Sequence, residues 1–209
     1  MNEKAIQVYN TLKPMYPRAK CGLNFQSPWQ LLVATILSAQ CTDTVVNAVT
    51  PLLFKRYNTI ADLATADVTE VSQIIRPTGF YNNKAKNIIA CAQIIMRDFG
   101  GCVPDTMEEL LKLKGVARKT ANIVLTDAFH IVDGIAVDTH VRRLSLRLGL
   151  TVHADPLKAE QDLCSAFPRI HWGEINHLMI AFGRATCAAK RPRCQNCPFA
   201  HTFCLVNTL

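Results

Sequence analysis

The stretch Leu113-Lys114-Gly115-Val116-Ala117-Arg118-Lys119-Thr120-Ala121-Asn122 sets a four-residue glycine turn between two helical patterns, Met107 to Leu113 and Arg118 to Phe129. So tight a turn leaves the first backbone N–H groups of the second helix without intrahelical partners. Those donors, with the positive end of the helix dipole, make a site for a phosphate that reads no base sequence. The same kind of string also builds ordinary αα-hairpins. The decapeptide therefore decides helix class and leaves its ligand open.

Outward from the hairpin, helical patterns continue in both directions. Pro28 opens an apolar run through Trp29, Leu31, Leu32, Val33, Ile36 and Leu37, a buried helix with proline in its first turn. Thr42 and Asp43 offer N-cap chemistry for a helix over Val45, Val46, Val49 and Leu52. Asn82 to Arg97 places Ile88, Ile89, Ala92 and Ile95 on one face and stops at Gly100-Gly101. A further helix runs from about Thr139 to Leu148, with Gly149 as its stop. The short run Ile135-Ala136-Val137 is too brief to seed a sheet. The expected class is all-α.

The chain has 209 residues, 49% hydrophobic and 19% charged, which excludes disorder. Its most apolar stretch, Trp29 to Leu37, contains Gln30 and falls well short of the ~18 to 20 residues of a membrane span. Met1-Asn2-Glu3-Lys4 is not followed by the apolar region of a secretory signal, so a cytoplasmic protein without membrane contact is expected. Twenty-three Lys and Arg against 16 Asp and Glu give a net charge of +7, which suits a polyanion.

Nine cysteines fall into two sets. Cys21, Cys41, Cys91, Cys102 and Cys164 are scattered through apolar patterns and are expected as small core residues. Cys187, Cys194, Cys197 and Cys204 follow a Cys-x6-Cys-x2-Cys-x6-Cys spacing. In a reducing compartment that cluster points to metal, either tetrahedral zinc or a 4Fe–4S cluster, and spacing alone does not choose. Between its first two cysteines, Lys190, Arg191 and Arg193 crowd three cations into six residues. Such a run is usually a solvated face, but tied at both ends it becomes a preordered phosphate-binding loop.

Two side chains could do chemistry. Lys119 lies in the first turn after the hairpin, where the helix end and Arg118 disfavour an ammonium, and only an unprotonated amine is a nucleophile. Asp138, in Val137-Asp138-Thr139-His140, stands where an N-cap belongs. By themselves they read as a surface cation and a cap.

The hairpin with Lys119, the Val-Asp-Thr-His string, Leu37-Ser38-Ala39-Gln40-Cys41-Thr42-Asp43, Gly79-Phe80-Tyr81-Asn82-Asn83-Lys84-Ala85 and the cysteine cluster occur in one order along nearly the whole chain. Together they resemble the endonuclease III-like family of the helix-hairpin-helix DNA glycosylase superfamily. The chain departs from that pattern in three places. Lys114 stands where the family usually has Pro, Ala117 where it has Gly, and the last cysteine gap is six residues rather than five. Ala117 fits the hairpin only with a negative φ or a loose fit, and His201, inside the longer gap, is the substitute ligand to weigh.

The resemblance implies a bifunctional DNA glycosylase and abasic-site lyase of base excision repair that removes oxidised pyrimidines from duplex DNA. Lys119 would be the nucleophile and Asp138 its assisting carboxylate. Gln40 and Phe80 would fill the gap left by the flipped nucleotide. Lys114, Gly115, Val116, Ala117 and Arg118 would hold phosphate, together with Lys190, Arg191 and Arg193. Cys187, Cys194, Cys197 and Cys204 would hold a structural 4Fe–4S cluster, with zinc as the alternative. The architecture implied is two helical lobes flanking a DNA-binding cleft, with Lys119 and Asp138 facing each other across its mouth. A six-helix lobe, 21–133, carries the helix-hairpin-helix at about 107–128. A cluster lobe, 1–20 plus 134–209, carries the four-cysteine loop 187–204. Partners would be double-stranded DNA with damaged bases or abasic sites, bound by a monomer, at the nucleoid if the source is prokaryotic. The alternatives are a mismatch-specific monofunctional glycosylase and a non-catalytic DNA-binding metal-cluster protein. Lys119 weighs against the first, because the thymine-mismatch branch has Tyr there.

Overall fold

The structure is a computed structural model, and it describes residues 2–205. In chain order its α-helices are α1 (Glu3–Met15), α2 (Pro28–Leu37), α3 (Asp43–Arg56), α4 (Ile60–Ala64), α5 (Val68–Ile74), α6 (Tyr81–Asp98), α7 (Met107–Leu110), α8 (Arg118–Val124), α9 (Thr139–Arg147), α10 (Pro156–Ala166) and α11 (Trp172–Ala185). No strand occurs among the described residues, and the protein is all-α. No helix among them is long and apolar enough to cross a membrane. The chain divides into two compact units, one of residues 22–133 and one of residues 2–21 with 134–205.

Within residues 22–133, α2 is the hub. Ser27 caps it by accepting from Gln30 N–H, and Pro28 starts it. Every residue from Leu31 to Leu37 is buried, the expected fate of a helix apolar on all sides. α3, α6 and α8 pack around it. Thr42 caps α3, a reciprocal Thr59–Asp62 capping box starts α4, and Asp67 caps α5. These two short helices lean on α6, whose buried face is Ala85, Ile88, Ile89, Ala92 and Ile95.

The apolar pattern after Met107 yields less helix than expected. α7 ends at Leu110, and Leu113 is buried beyond the helix, just before the turn. The pattern after Arg118 changes from α to a π-helix at Leu125–Phe129 and closes on left-handed His130. Of the scattered cysteines only Cys91 is buried. Cys102 is exposed and Cys21, Cys41 and Cys164 are half-buried, because they fall at element ends or on outer faces.

The other unit packs α1, α9, α10 and α11 around Val8, Leu12, Leu144, Leu163, Met179 and Phe182. Ile135, Ala136 and Val137 are buried here without forming a strand. Their backbone is served by a side chain instead, since buried Asn176 donates from Nδ2 to the Ala136 carbonyl at 2.7 Å. α1 is tied to α11 at Glu174, whose carboxylate accepts from Lys13 Nζ and from Tyr9 Oη.

The hydrogen bond from Lys13, with that from Tyr9, holds the Glu174 carboxyl below its ordinary 4.5, and burial followed by Glu174 pushes Tyr9 up to about 12. A carboxylate with a lowered folded pKa contributes stability above its unfolded value and loses it as pH falls through the folded one. Glu174→Gln should therefore be less stable than wild type at pH 7. About 1 kcal/mol is the upper bound, because both charged side chains are some two-fifths exposed. Denaturant titrations should show this gap closing as pH drops below 4.5.

Candidate functional site

The hairpin is a turn of mixed handedness. Gly115 sits at φ +80, a backbone that demands glycine, and a Cβ placed there would meet the Asn87 side chain of α6 at a tight 3.1 Å. Val116 N–H closes the turn onto the Leu113 carbonyl at 3.3 Å. Ala117 takes φ −105, ψ 169, extended backbone that any residue adopts. Alanine in place of glycine thus costs the turn nothing. Ala117 is the N-cap of α8 and supplies no side-chain cap, which leaves the first α8 N–H groups uncapped by this residue. Lys114, Gly115 and Ala117 are exposed, while Val116, Arg118 and Lys119 are half-buried. Lys119 is the second residue of α8, followed by buried Thr120 and Ala121.

Two loops of the same unit carry Gln40 and Phe80. Both residues are exposed and both are left-handed, Gln40 at φ 52 and Phe80 at φ 48. Phe80 keeps 65% of its surface exposed while serving as N-cap of α6. A large apolar side chain held that far into solvent in a costly backbone conformation is an unusual expense for a loop. Between the loops lies a residue of the Gly79–Ala85 string to which pattern reading gave no role. Lys84, 4% exposed, donates from Nζ to the carbonyls of Leu37 and Thr78, 2.8 Å each. Burial pulls its ammonium below the usual lysine range, and the nearby Cys41 thiol opposes the shift.

In the unit formed by 2–21 and 134–205, Asp138 is the N-cap of α9. Its Oδ1 accepts from Val141 N–H at 2.8 Å, and the side chain is half-buried. Five and nine residues on, Arg143 and Arg147 bind the start of the cysteine loop. Arg143 donates to the carbonyls of Gly183 and Cys187, and Arg147 to Cys187 Sγ at 3.2 Å and to the Ala188 carbonyl at 2.8 Å. Sequence reading missed this pair, because a guanidinium that serves distant carbonyls has no spacing signature.

Cys187, Cys194, Cys197 and Cys204 line one pocket, with Thr186, Pro192, Arg193 and Ala200. Among the described residues no three His, Cys, Asp or Glu side chains are gathered for a single metal ion. The longer last gap is taken up by turns around Phe199, whose carbonyl accepts from both Thr202 and Cys204 N–H. Phe199 is itself buried edge-on against Phe182, 5.5 Å between ring centres, so this segment is anchored to the core. Cys204 reaches the cavity, and the exposed His201 is not among the residues that line it. Burial, with a smaller push from the other three thiols, raises the Cys197 thiol. Lys190, Arg191 and Arg193 are all exposed on the intervening loop.

Residues 33–169 match the model of the HhH-GPD superfamily base excision DNA repair protein. The chain belongs to that superfamily, and its activity is that of a DNA glycosylase with abasic-site lyase function. It is 52% identical over 199 residues to the endonuclease III of Synechocystis sp., covering 95% of this chain and 91% of that one. It is 46% identical over 185 residues to the endonuclease III of Bacillus subtilis, covering 88% and 84%. A solved structure of a trapped endonuclease III–DNA covalent intermediate superposes with a TM-score of 0.93 at 42% identity, over 98% of this chain and 96% of that one.

Gly115→Ala should destabilise the protein by about 1 to 2 kcal/mol through left-handed strain alone, with Asn87 forced to give as well. Ala117→Gly should bring no gain, since φ is already negative there. Paired denaturation curves would separate the two.

Proposed function

We propose that the protein excises oxidised pyrimidines from duplex DNA through a covalent Schiff base on Lys119 and then cleaves the strand by β-elimination. The supporting observation is the near full-length likeness to an endonuclease III trapped covalently on DNA. A covalent trap needs a nucleophile on the protein, and Lys119 stands in the first turn after the hairpin.

The target nucleotide leaves the stack first, with Gln40 and Phe80 taking its place. Lys119 Nζ then forms a bond to C1′ as the C1′–N bond to the base breaks, and the bonding pair and a proton leave with the base. The role assigned to Asp138, whose carboxylate is fixed in orientation by Val141 N–H, is to stabilise the positive charge that develops on the sugar and to take up the lysine proton. Ring opening gives the imine. Its positive nitrogen acidifies the 2′ hydrogen, and loss of that proton expels the 3′ phosphate. Hydrolysis returns Lys119 as the free amine.

The four cysteines fit a 4Fe–4S cluster. All four thiols line one pocket, and thiolate sulfur is the donor set that such a cluster takes. Bound there, the cluster supplies a covalent cross-link that closes the 187–204 loop. Arg147 supports its first ligand through Cys187 Sγ, and Lys190, Arg191 and Arg193 are displayed on the loop to duplex phosphates. DNA binding is thus non-specific in sequence, through the hairpin and this loop, and a monomer suffices for one duplex site.

Borohydride trapping on a duplex with one thymine glycol tests the central claim. Wild type should give a covalent adduct and Lys119→Ala none. Adducts from both would move the nucleophile to another lysine, and adducts from neither with binding intact would end the lyase reading. Anaerobically purified protein should be brown with about four irons per chain, and colourless protein with stoichiometric zinc would overturn the cluster. Lys114→Ala should weaken DNA binding and reduce the salt slope by about one.

A further inference from the structure

Four non-glycine residues among the described ones have positive φ: Gln40, Phe80, His130 and Arg191. Left-handed backbone at such residues persists only where the surroundings over-determine it. Two of the four are the pair assigned above to the space left by the flipped nucleotide, so something must hold both loops against relaxation. Gln40 follows the last residue of α2, Leu37, by three positions, and Phe80 follows Thr78 by two. The carbonyls of Leu37 and Thr78 are the two acceptors of Lys84 Nζ.

We infer that Lys84 is the positioning residue of the base-extruding wedge, its buried ammonium pinning the roots of the Gln40 and Phe80 loops to one point. The inference rests on the reading of those two residues as the wedge. One nitrogen bound at 2.8 Å to two carbonyls fixes how far apart those carbonyls can lie. The Leu37 carbonyl belongs to the last turn of α2, where no intrahelical N–H is available and a cation suits the helix dipole. Lys84 is itself held, because it is the fourth residue of α6 and its N–H donates to the Phe80 carbonyl at 3.1 Å. The pin therefore starts from the helix that Phe80 caps, runs beneath that loop and ends on the other. Gly79, at φ 68 and ψ 158, makes the turn between pinned Thr78 and Phe80 with a backbone that only glycine takes readily. Burial of the ammonium fits a structural tether, since an exposed lysine would add charge for phosphates without fixing either loop.

The test compares two rates: single-turnover excision of thymine glycol from duplex, which needs the wedge, and β-elimination at a preformed abasic site in a single-stranded oligonucleotide, which does not. Lys84→Met leaves both carbonyls unpaired and should lower the duplex-to-single-strand ratio by about tenfold, equal to about 1.4 kcal/mol of barrier. Lys84→Arg should recover part of it. In a Gln40→Ala/Phe80→Ala background, Lys84→Met should lower the ratio no further. If Lys84→Met melts below the assay temperature, Lys84→Gln, which keeps one donor group, carries the comparison. An unchanged ratio would overturn the proposal. So would an equal fall in both rates, or a full additional loss in the double-alanine background. Wild-type duplex excision by the double-alanine variant would sink the wedge reading itself, and the role of Lys84 with it.

Discussion

A helix that is apolar around its whole circumference is stable in water only when other helices enclose it, and α2 places that demand on residues 22–133. α3, α6 and α8 answer it. Burying Leu31 to Leu37 on every side also fixes where the ends of those neighbours fall. α8 begins at the hairpin with Lys119 in its first turn. α6 begins just after its N-cap Phe80, and α2 itself runs out into the loop of Gln40. The exposed groups proposed for DNA in this unit stand at helix ends whose helices are rigid for reasons unrelated to DNA.

Where the sequence carried a periodic or capping signal, the fold could be read from it. α2, α3, α6 and α9 are announced by apolar faces, by Thr42 and Asp138 as caps, and by glycine stops. α4 and α5 span five and seven residues, too short for a face to repeat, and form because capping side chains and α6 support them. The change to a π-helix at Leu125 has no local marker. For the candidate site, motifs single out Lys119, Asp138 and the cysteines, since the chemistry proposed for them depends on residue type and spacing. Lys84, Arg143 and Arg147 escape that logic. Each is a cation whose partners are carbonyls or a sulfur distant in sequence, and any lysine or arginine looks the same until the chain is folded.

The three departures from the family pattern show how local geometry absorbs substitution. Ala117 is harmless because the turn asks for a positive φ at Gly115 alone. Lys114 is exposed, so exchanging a ring for a cation adds charge and leaves packing untouched. The added residue before Cys204 disappears into turns whose carbonyl acceptor, Phe199, is locked in the core.

α1 joins a unit whose remaining members begin at residue 134, with all of 22–133 made in between. On the ribosome, Ala5, Val8 and Leu12 therefore emerge without a partner and wait for α11. The inserted unit completes first, and its folding draws residues 21 and 134 out of a long, costly loop closure. α1, made before residues 22–133, is thus buried after them. During that interval its apolar face is the surface open to chaperones or to another nascent chain.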